Sequence, residues 1–160
     1  MSVANRLERL LEESGAPFEV IDHQLAFTAQ EEAAASHVPG RHWAKTVAVL
    51  IDGEPAIAVV PATRRLDLGK LRRVVGTENV EIAREAEFQG LYPDCELGAM
   101  PPFGELYDQR TFVDEALREE EQIAFHAGDH RTAIEMSYGD FERLAEPVPA
   151  DLSGPLRERV

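Results

Sequence analysis

The sequence of 160 residues lacks the features that mark several broad classes of protein. It has one cysteine, so no disulfide can form within the chain, which is typical of a reducing compartment. The longest apolar runs, Val47–Ile51 and Ala56–Ala62, are too short to cross a bilayer. The first residues lack the pattern of a secretory signal, and there is no phosphate-binding glycine loop, nucleophile elbow or zinc-protease motif. We therefore expect a cytoplasmic protein with no membrane partner.

Basic residues are also scarce, and lysine above all. Only Lys45 and Lys70 are lysines, and the formal net charge is −14 because thirty acidic residues face sixteen basic ones. Such a charge disfavours a protein that coats nucleic acid, although it is also compatible with salt adaptation. Residues 81–160 hold nineteen acidic and seven basic side chains, whereas residues 1–80 hold eleven and nine. A polyanion would therefore meet least repulsion in the first half of the chain.

The patterning predicts a mixed α+β domain. Asp52-Gly53 separates two β-rich runs, Ala44–Ile51 and Ala56–Val60, and is typical of a tight hairpin. Short turns between consecutive strands favour a mostly antiparallel sheet. We expect one domain over residues 1–146, followed by a loosely ordered tail at 147–160 that is rich in proline. Helices are predicted near 2–14, 29–37, 68–75, 84–91, 113–119 and 138–144, and further strands near 18–21, 81–82, 105–108, 122–126 and 133–136.

Two places in the sequence could carry chemistry through a cation or a rigid loop. Lys45 stands at the mouth of an apolar strand, where it is either an edge lysine that reaches solvent or a clamp for an oxyanion or phosphate. Gly98–Gly104 contains two adjacent prolines, so it is either a tight connection or a rigid loop whose backbone amides hold a carbonyl or a water.

Two further clusters are less specific. His126, Asp129 and His130 occupy one turn and could bind a metal, line a pocket, act in acid–base chemistry or simply face solvent. A basic patch could contact phosphates or form a solvated helix face. Its members are Arg64, Arg65, Lys70, Arg72 and Arg73.

Taken in order, these motifs resemble a known family. Ala44-Lys45-Thr46 opens the hairpin, Leu66-Asp67-Leu68 starts the next helix, and Gly98-x-x-x-Pro102 follows about fifty residues after the lysine. Phe125-His126-Ala127-Gly128 then precedes a strand and Gly139-Asp140-Phe141. Over residues 5–146 this pattern is similar to the YbaK/prolyl-tRNA synthetase editing-domain superfamily of free-standing aminoacyl-tRNA deacylases.

The resemblance implies both a fold and an activity. The expected fold is a mostly antiparallel sheet curled into a barrel-like core with helices around it. The expected reaction is hydrolysis of the ester that joins a small wrong amino acid (Ala, Cys, Ser or Thr) to a tRNA, usually tRNA(Pro). It needs no metal or cofactor and uses the 2′-hydroxyl of the terminal adenosine as an internal helper. The implied partners are the tRNA acceptor end and a prolyl-tRNA synthetase, and the oligomeric state stays open.

The resemblance also assigns roles. Lys45 would hold the terminal phosphate or the substrate carbonyl, and the Gly98 backbone would position the attacking water and the ester. The competing hypotheses are a non-catalytic module that partners a synthetase or senses a small ligand, and a metal-dependent hydrolase built on His126, Asp129 and His130. The substrate-binding candidates are Thr46, Met100, Pro101, Pro102, His126, Gly128 and His130, and the tRNA-contact candidates are the five basic residues of the patch.

Overall fold

The computed structural model describes residues 3–22, 31, 33–34 and 38–156. Most of the helix predicted at 29–37 lies outside these residues. None of the helices in the described ranges is long and apolar enough to cross a membrane. Four α-helices have described bounds, which are α1 (Val3–Ser14), α2 (Leu68–Val75), α3 (Glu85–Leu91) and α4 (Tyr138–Ala145), and residues 31 and 33–34 are also helical. The strands are β1 (Phe18–Asp22), β2 (Ala44–Ile51), β3 (Glu54–Pro61), β4 (Arg64–Leu66), β5 (Val80–Ile82), β6 (Arg110–Asp114), β7 (Gln122–His126), β8 (Thr132–Ser137), β9 (Val148–Ala150) and β10 (Ser153–Pro155).

The β2–β3 hairpin is the backbone of the fold, and its prediction is confirmed. Asp52 and Gly53 have φ of 50° and 80°, and two successive left-handed residues turn the chain with the twist that a hairpin requires. The two strands pair antiparallel along their whole length, from Ile51 opposite Glu54 to Ala44 opposite Pro61. Lys45 therefore lies at the end of the hairpin that is opposite its turn.

The strands in the described part of the chain form three sheets. The five-stranded sheet has the order β5-β2-β3-β6-β9, the three-stranded sheet β1-β8-β7, and the two-stranded sheet β10-β4. The β3–β6 and β6–β9 pairs are parallel and the other pairs are antiparallel, which confirms the mixed α+β class. An isolated bridge between Trp43 and Ala124 joins the two larger sheets. No closed barrel is found among these strands, so a barrel-like core stays a prediction.

The main hydrophobic cluster anchors the loop that holds the Gly98 motif. Phe103, at the end of this loop, is fully buried, and its ring centroid lies 5.6 Å from that of Phe125 and 5.4 Å from that of Phe141. Burying a side chain of this size contributes about 1.5–3 kcal/mol. The loop is therefore tied to the centre of the protein through its last aromatic residue.

The strand predicted at 105–108 is wrong. Gly104–Tyr107 forms a 3₁₀ turn that ends at Asp108 with φ of 55°, and the strand begins later, at Arg110. A left-handed residue interrupts an extended run, which the alternation of apolar residues does not reveal. The helix predicted at 113–119 is a short 3₁₀ helix, Glu115–Glu119.

The expectation of a loosely ordered tail is wrong for residues 148–155. β9 runs parallel to β6, and β10 runs antiparallel to β4. Leu152, between them, is fully buried, and its N–H donates to the Asp114 carboxylate at 2.8 Å. Both added strands lie at sheet edges, where proline is tolerated. Strand pairing therefore continues past residue 146.

Candidate active site

A cavity of about 580 Å³ opens beside the first half of β2. β5 pairs only with Val49–Ile51. In the part of the chain that the structure describes, residues 45–48 of β2 therefore have no strand on that side and line the cavity instead. The remaining walls come from α3, from the loop around Gly98 and from His126 at the end of β7. The site thus lies at the seam between the two larger sheets.

Lys45 is the only lysine or arginine on this cavity wall within the described residues. Its Nζ donates to the main-chain carbonyl of Arg64 at 3.3 Å, and burial lowers the pKa of its ammonium group. An ammonium that is partly removed from water and bonded to a single carbonyl retains donors for an anionic or carbonyl ligand.

Gly98 and its loop form another part of the same cavity wall. Gly98 has φ of 80°, a conformation that favours glycine, and it lines the cavity. The Ala99 N–H donates to Glu96 at 3.0 Å, the Gly128 N–H donates to Ala99 at 2.9 Å, and the Glu96 N–H donates to Gly128 at 2.9 Å. Within the described ranges no hydrogen bond uses the Gly98 N–H. The loop is therefore fixed against the β7–β8 turn while this donor stays available.

The two histidines have different positions. His126 is buried on the cavity wall, with its ring edge-on to Trp43 at 5.3 Å between centroids. His130 does not line the cavity; its Nε2 lies 2.7 Å from the Leu97 carbonyl and its N–H donates to Glu96. His130 therefore supports the Gly98 loop from behind, which corrects its predicted place on the pocket wall.

Not all of the predicted substrate-binding residues reach the cavity. Thr46 and Met100 do, together with His126. Pro101, Pro102 and Gly128 are buried but do not line it, because the chain turns inward toward Phe103 after Met100. The structure thus places these three residues in the support of the loop.

The His126, Asp129 and His130 set is not arranged as a metal site. The Asp129 carboxylate accepts from the Arg131 N–H at 2.8 Å and from the Thr132 hydroxyl at 3.4 Å, which closes the turn. No group of three or more His, Cys, Asp or Glu side chains in the described segments could hold a metal ion. The geometry of these three residues therefore does not favour the metal-dependent alternative.

The predicted basic patch is largely engaged within the protein. Arg64 and Arg65 belong to strand β4 and donate to Ser153 and Pro155 of β10. Lys70 donates to Ser153 and Asp151, Arg72 donates to Val80, and Arg73 is exposed on α2. These contacts differ from a solvated helix face, and contact with tRNA stays a prediction.

Sequence reasoning missed eight of the residues that line the cavity, which are Val47, Ala48, Ala62, Ile82, Ala83, Glu85, Phe88 and Leu97. Glu85 and Phe88 come from α3, where helical periodicity could have indicated that Phe88 faces inward. Ile82 and Leu97 lie at the cavity and are 52% and 48% exposed. An exposed apolar residue in a short strand or loop carries no distinctive sequence signal.

Comparison with known proteins shows the class to which this fold and cavity belong. The sequence model of the aminoacyl-tRNA editing domain matches residues 23–144, so the chain belongs to that family. It is a member of the YbaK/prolyl-tRNA synthetase editing-domain superfamily, as its motifs predicted.

Individual relatives agree with this placement. A proline–tRNA ligase of Staphylococcus saprophyticus is 30% identical over 155 residues, which cover 88% of this chain and 26% of the ligase. A proline–tRNA ligase of Nitratidesulfovibrio vulgaris is 30% identical over 93 residues, covering 58% of this chain and 16% of the ligase. The chain thus spans about a quarter or less of the curated relatives it matches.

Two solved structures share the fold. One is a candidate trans-editing enzyme for prolyl-tRNA synthetase, with a TM-score of 0.83, 24% identity and coverage of 96% of this chain and 98% of that one. The other comes from work on grafting epitopes onto scaffold proteins, with a TM-score of 0.83, 25% identity and coverage of 98% and 99%. These likenesses extend over nearly the whole chain.

Proposed function

We propose that this protein is an aminoacyl-tRNA deacylase that removes a small wrong amino acid from tRNA, with tRNA(Pro) as the expected carrier. The observation that carries the proposal is that Lys45 and Gly98 line one cavity in a chain of the editing-domain family. Proline–tRNA ligases among the relatives support tRNA(Pro).

The reaction needs little from the protein because the aminoacyl ester is already activated. Water attacks the ester carbonyl carbon, the bond to the ribose oxygen breaks, and the products are the free amino acid and the 3′-hydroxyl of the tRNA. As charge develops on the carbonyl oxygen, fixed donors stabilise it. The Gly98 N–H and the Lys45 ammonium are the donors at hand, and the 2′-hydroxyl of the substrate completes the set that the family resemblance implies.

The cavity also suits a small amino acid attached to a larger leaving group. Its volume of about 580 Å³ lies within the range of small-molecule sites, so it has room for more than the amino acid alone. Thr46, Phe88 and Met100 supply mostly apolar walls, which select by size. One methylene contributes only about 1–3 kcal/mol to such selection, so related small amino acids would be hydrolysed at different rates.

The test is a panel of tRNA(Pro) charged with alanine, serine, cysteine, threonine or proline. The wild type should release at least one small amino acid and spare proline, and Lys45→Ala should slow release by about 10²-fold or more because it removes a donor to the reacting group. Arg143→Ala is the matched control, since Arg143 is an exposed arginine that bonds to Asp140 on α4.

Three outcomes separate the hypotheses. If Lys45→Ala hydrolyses at the wild-type rate, the assignment of Lys45 fails. If the wild type hydrolyses no ester but binds tRNA or a synthetase, the non-catalytic module is favoured. If a chelator abolishes hydrolysis, a metal-dependent mechanism replaces the one proposed, which predicts no effect of chelator.

A further inference from the structure

A buried carboxylate that does not line the cavity organises strand β10. Asp114, at the end of β6, is 3% exposed. Its carboxylate accepts hydrogen bonds at 2.8 Å from the Leu152 N–H and at 2.8 Å from the Ser153 hydroxyl. The Ala116 N–H also donates to this carboxylate, at 3.2 Å. A carboxylate in so dry a position is tolerated because these three donors satisfy it.

Ser153 connects Asp114 to Arg64 through hydrogen bonds. Because its hydroxyl proton points to Asp114, the Ser153 oxygen accepts from Arg64 Nε, at 2.7 Å. A second guanidinium nitrogen of Arg64 lies 3.3 Å from the Ser153 carbonyl. The arginine side chain is therefore committed to β10, which lies 89 residues further along the chain.

The main chain of Arg64 then contacts Lys45. β4 is only three residues long, and β10 is its partner in a two-stranded sheet. The Arg64 carbonyl accepts from Lys45 Nζ at 3.3 Å. The position of this carbonyl thus depends on β4, and the position of β4 depends on its contacts with β10.

We propose that Arg64 and Ser153 are positioning residues that hold the Lys45 ammonium in the cavity through the Asp114–Ser153–Arg64 network. Strand β10 then helps to position a residue of the site, Lys45. The catalytic consequence rests on the proposed function, whereas the effect on the Lys45 side chain does not.

The small number of lysines permits a direct measurement on the intact protein. With ¹³Cε-labelled lysine the spectrum contains signals from Lys45 and Lys70 only, which Lys45→Arg assigns. In Ser153→Ala the side-chain link from Asp114 to Arg64 is broken while the backbone pairing of β10 with β4 remains. Arg64 is then held less firmly, and the Lys45 ammonium gains water. The Lys45 signal should then shift, and its pKa should rise toward the ordinary lysine value because burial is what lowers it.

Ser137→Ala is a control that excludes a general effect of loosening. Ser137 caps α4 by accepting from the Asp140 N–H at 3.1 Å, and its loss should cost about 1 kcal/mol. Ser137→Ala should leave the Lys45 signal and pKa unchanged. An unchanged Lys45 signal in Ser153→Ala would overturn the proposal. If that variant does not fold, Arg64→Gln tests the same link and should produce the same shift of the Lys45 signal, whose absence would again overturn the proposal.

Deacylation measurements then distinguish positioning from phosphate binding. Ser153→Ala should lower kcat/KM by about tenfold in the wild type, the size expected for loss of a hydrogen bond to a charged group, and should cause no further loss in Lys45→Ala. The salt dependence of Ser153→Ala should equal that of the wild type, since serine carries no charge.

If Arg64 instead bound a tRNA phosphate, Ser153→Ala would keep its activity. Arg64→Gln would then reduce the slope of log affinity against log salt concentration by about one. If the wild type deacylates nothing, the proposed function fails while the Lys45 signal still decides the positioning role.

Discussion

Replacing Gly104 with alanine should destabilise the protein strongly, although the change adds one methyl group. A Cβ at this position would lie 2.5 Å from the Gln109 carbonyl oxygen and 2.6 Å from Thr111 Oγ1, both inside van der Waals contact. The backbone must therefore move, and the Gly104 N–H bond to Thr111 Oγ1, now 2.9 Å, is lost. Overpacking costs about 1–3 kcal/mol, and the buried hydrogen bond adds about 0.5–1.5 kcal/mol, so the free energy of unfolding should fall by about 1.5–4.5 kcal/mol.

Gly90→Ala is the matched control with the opposite sign. Gly90 lies in α3 and nothing lies within 4 Å of the added Cβ, so alanine should raise stability by about 0.5–1 kcal/mol through its helix propensity. Urea unfolding followed by circular dichroism measures both changes. Gly104→Ala combined with Thr111→Ala should recover only part of the loss, because the clash with the Gln109 carbonyl remains. Wild-type stability in Gly104→Ala would refute the packing argument.

Two further predictions concern the site. Gly98→Ala and Gly53→Ala place alanine at the same φ of 80° with no clash, so each should lose about 1–2 kcal/mol of stability. Only Gly98→Ala should also lose deacylation, because the strain of a side chain at this φ shifts a backbone that lines the cavity. Equal activity of the two variants would remove Gly98 from the mechanism. Because burial lowers the pKa of Lys45, kcat/KM should fall at alkaline pH with a midpoint below the usual lysine value of 10.5. Lys45→Arg, where it retains activity, should not show this fall, because a guanidinium does not titrate in that range. If the fall persists in Lys45→Arg, another group causes it.

The elements that were predicted correctly are those specified by neighbouring residues. Asp52-Gly53 defines the hairpin turn, and Asp67 caps α2 by accepting from the Lys70 N–H at 3.2 Å. Gly76 ends that helix with φ of 76°. Each of these signals acts within four residues, so a sequence pattern contains all of it.

The elements that were predicted wrongly depend on distant partners. β9 and β10 are rich in proline, and taken alone they predict disorder. They are ordered because β6 and β4 provide ladder partners and Asp114 accepts two hydrogen bonds from this segment. A carboxylate that is satisfied 39 residues away along the chain has no local signature.

The candidate site divides in the same way. Lys45 and Gly98 could be named from the sequence because each stands in a compact motif whose residue types limit its conformation. Glu85, Ile82 and Leu97 could not, since they reach the cavity only after α3 and the Gly98 loop pack beside β2. Local motifs thus indicate the candidate residues Lys45 and Gly98, and the walls that would select a substrate come from packing.

The basic patch shows why charge density alone is a poor guide to nucleic-acid contact. The five basic residues are close together in the sequence, but Arg64, Arg65 and Lys70 donate hydrogen bonds to strand β10. In a protein of net charge −14, the cations that bond to β10 stabilise the fold, and their hydrogen bonds are not free for a phosphate. If the Arg64 carbonyl positions Lys45, β10 contributes to the site by placing the Lys45 ammonium correctly. The net charge of the protein would then affect the rate at which the tRNA acceptor end associates.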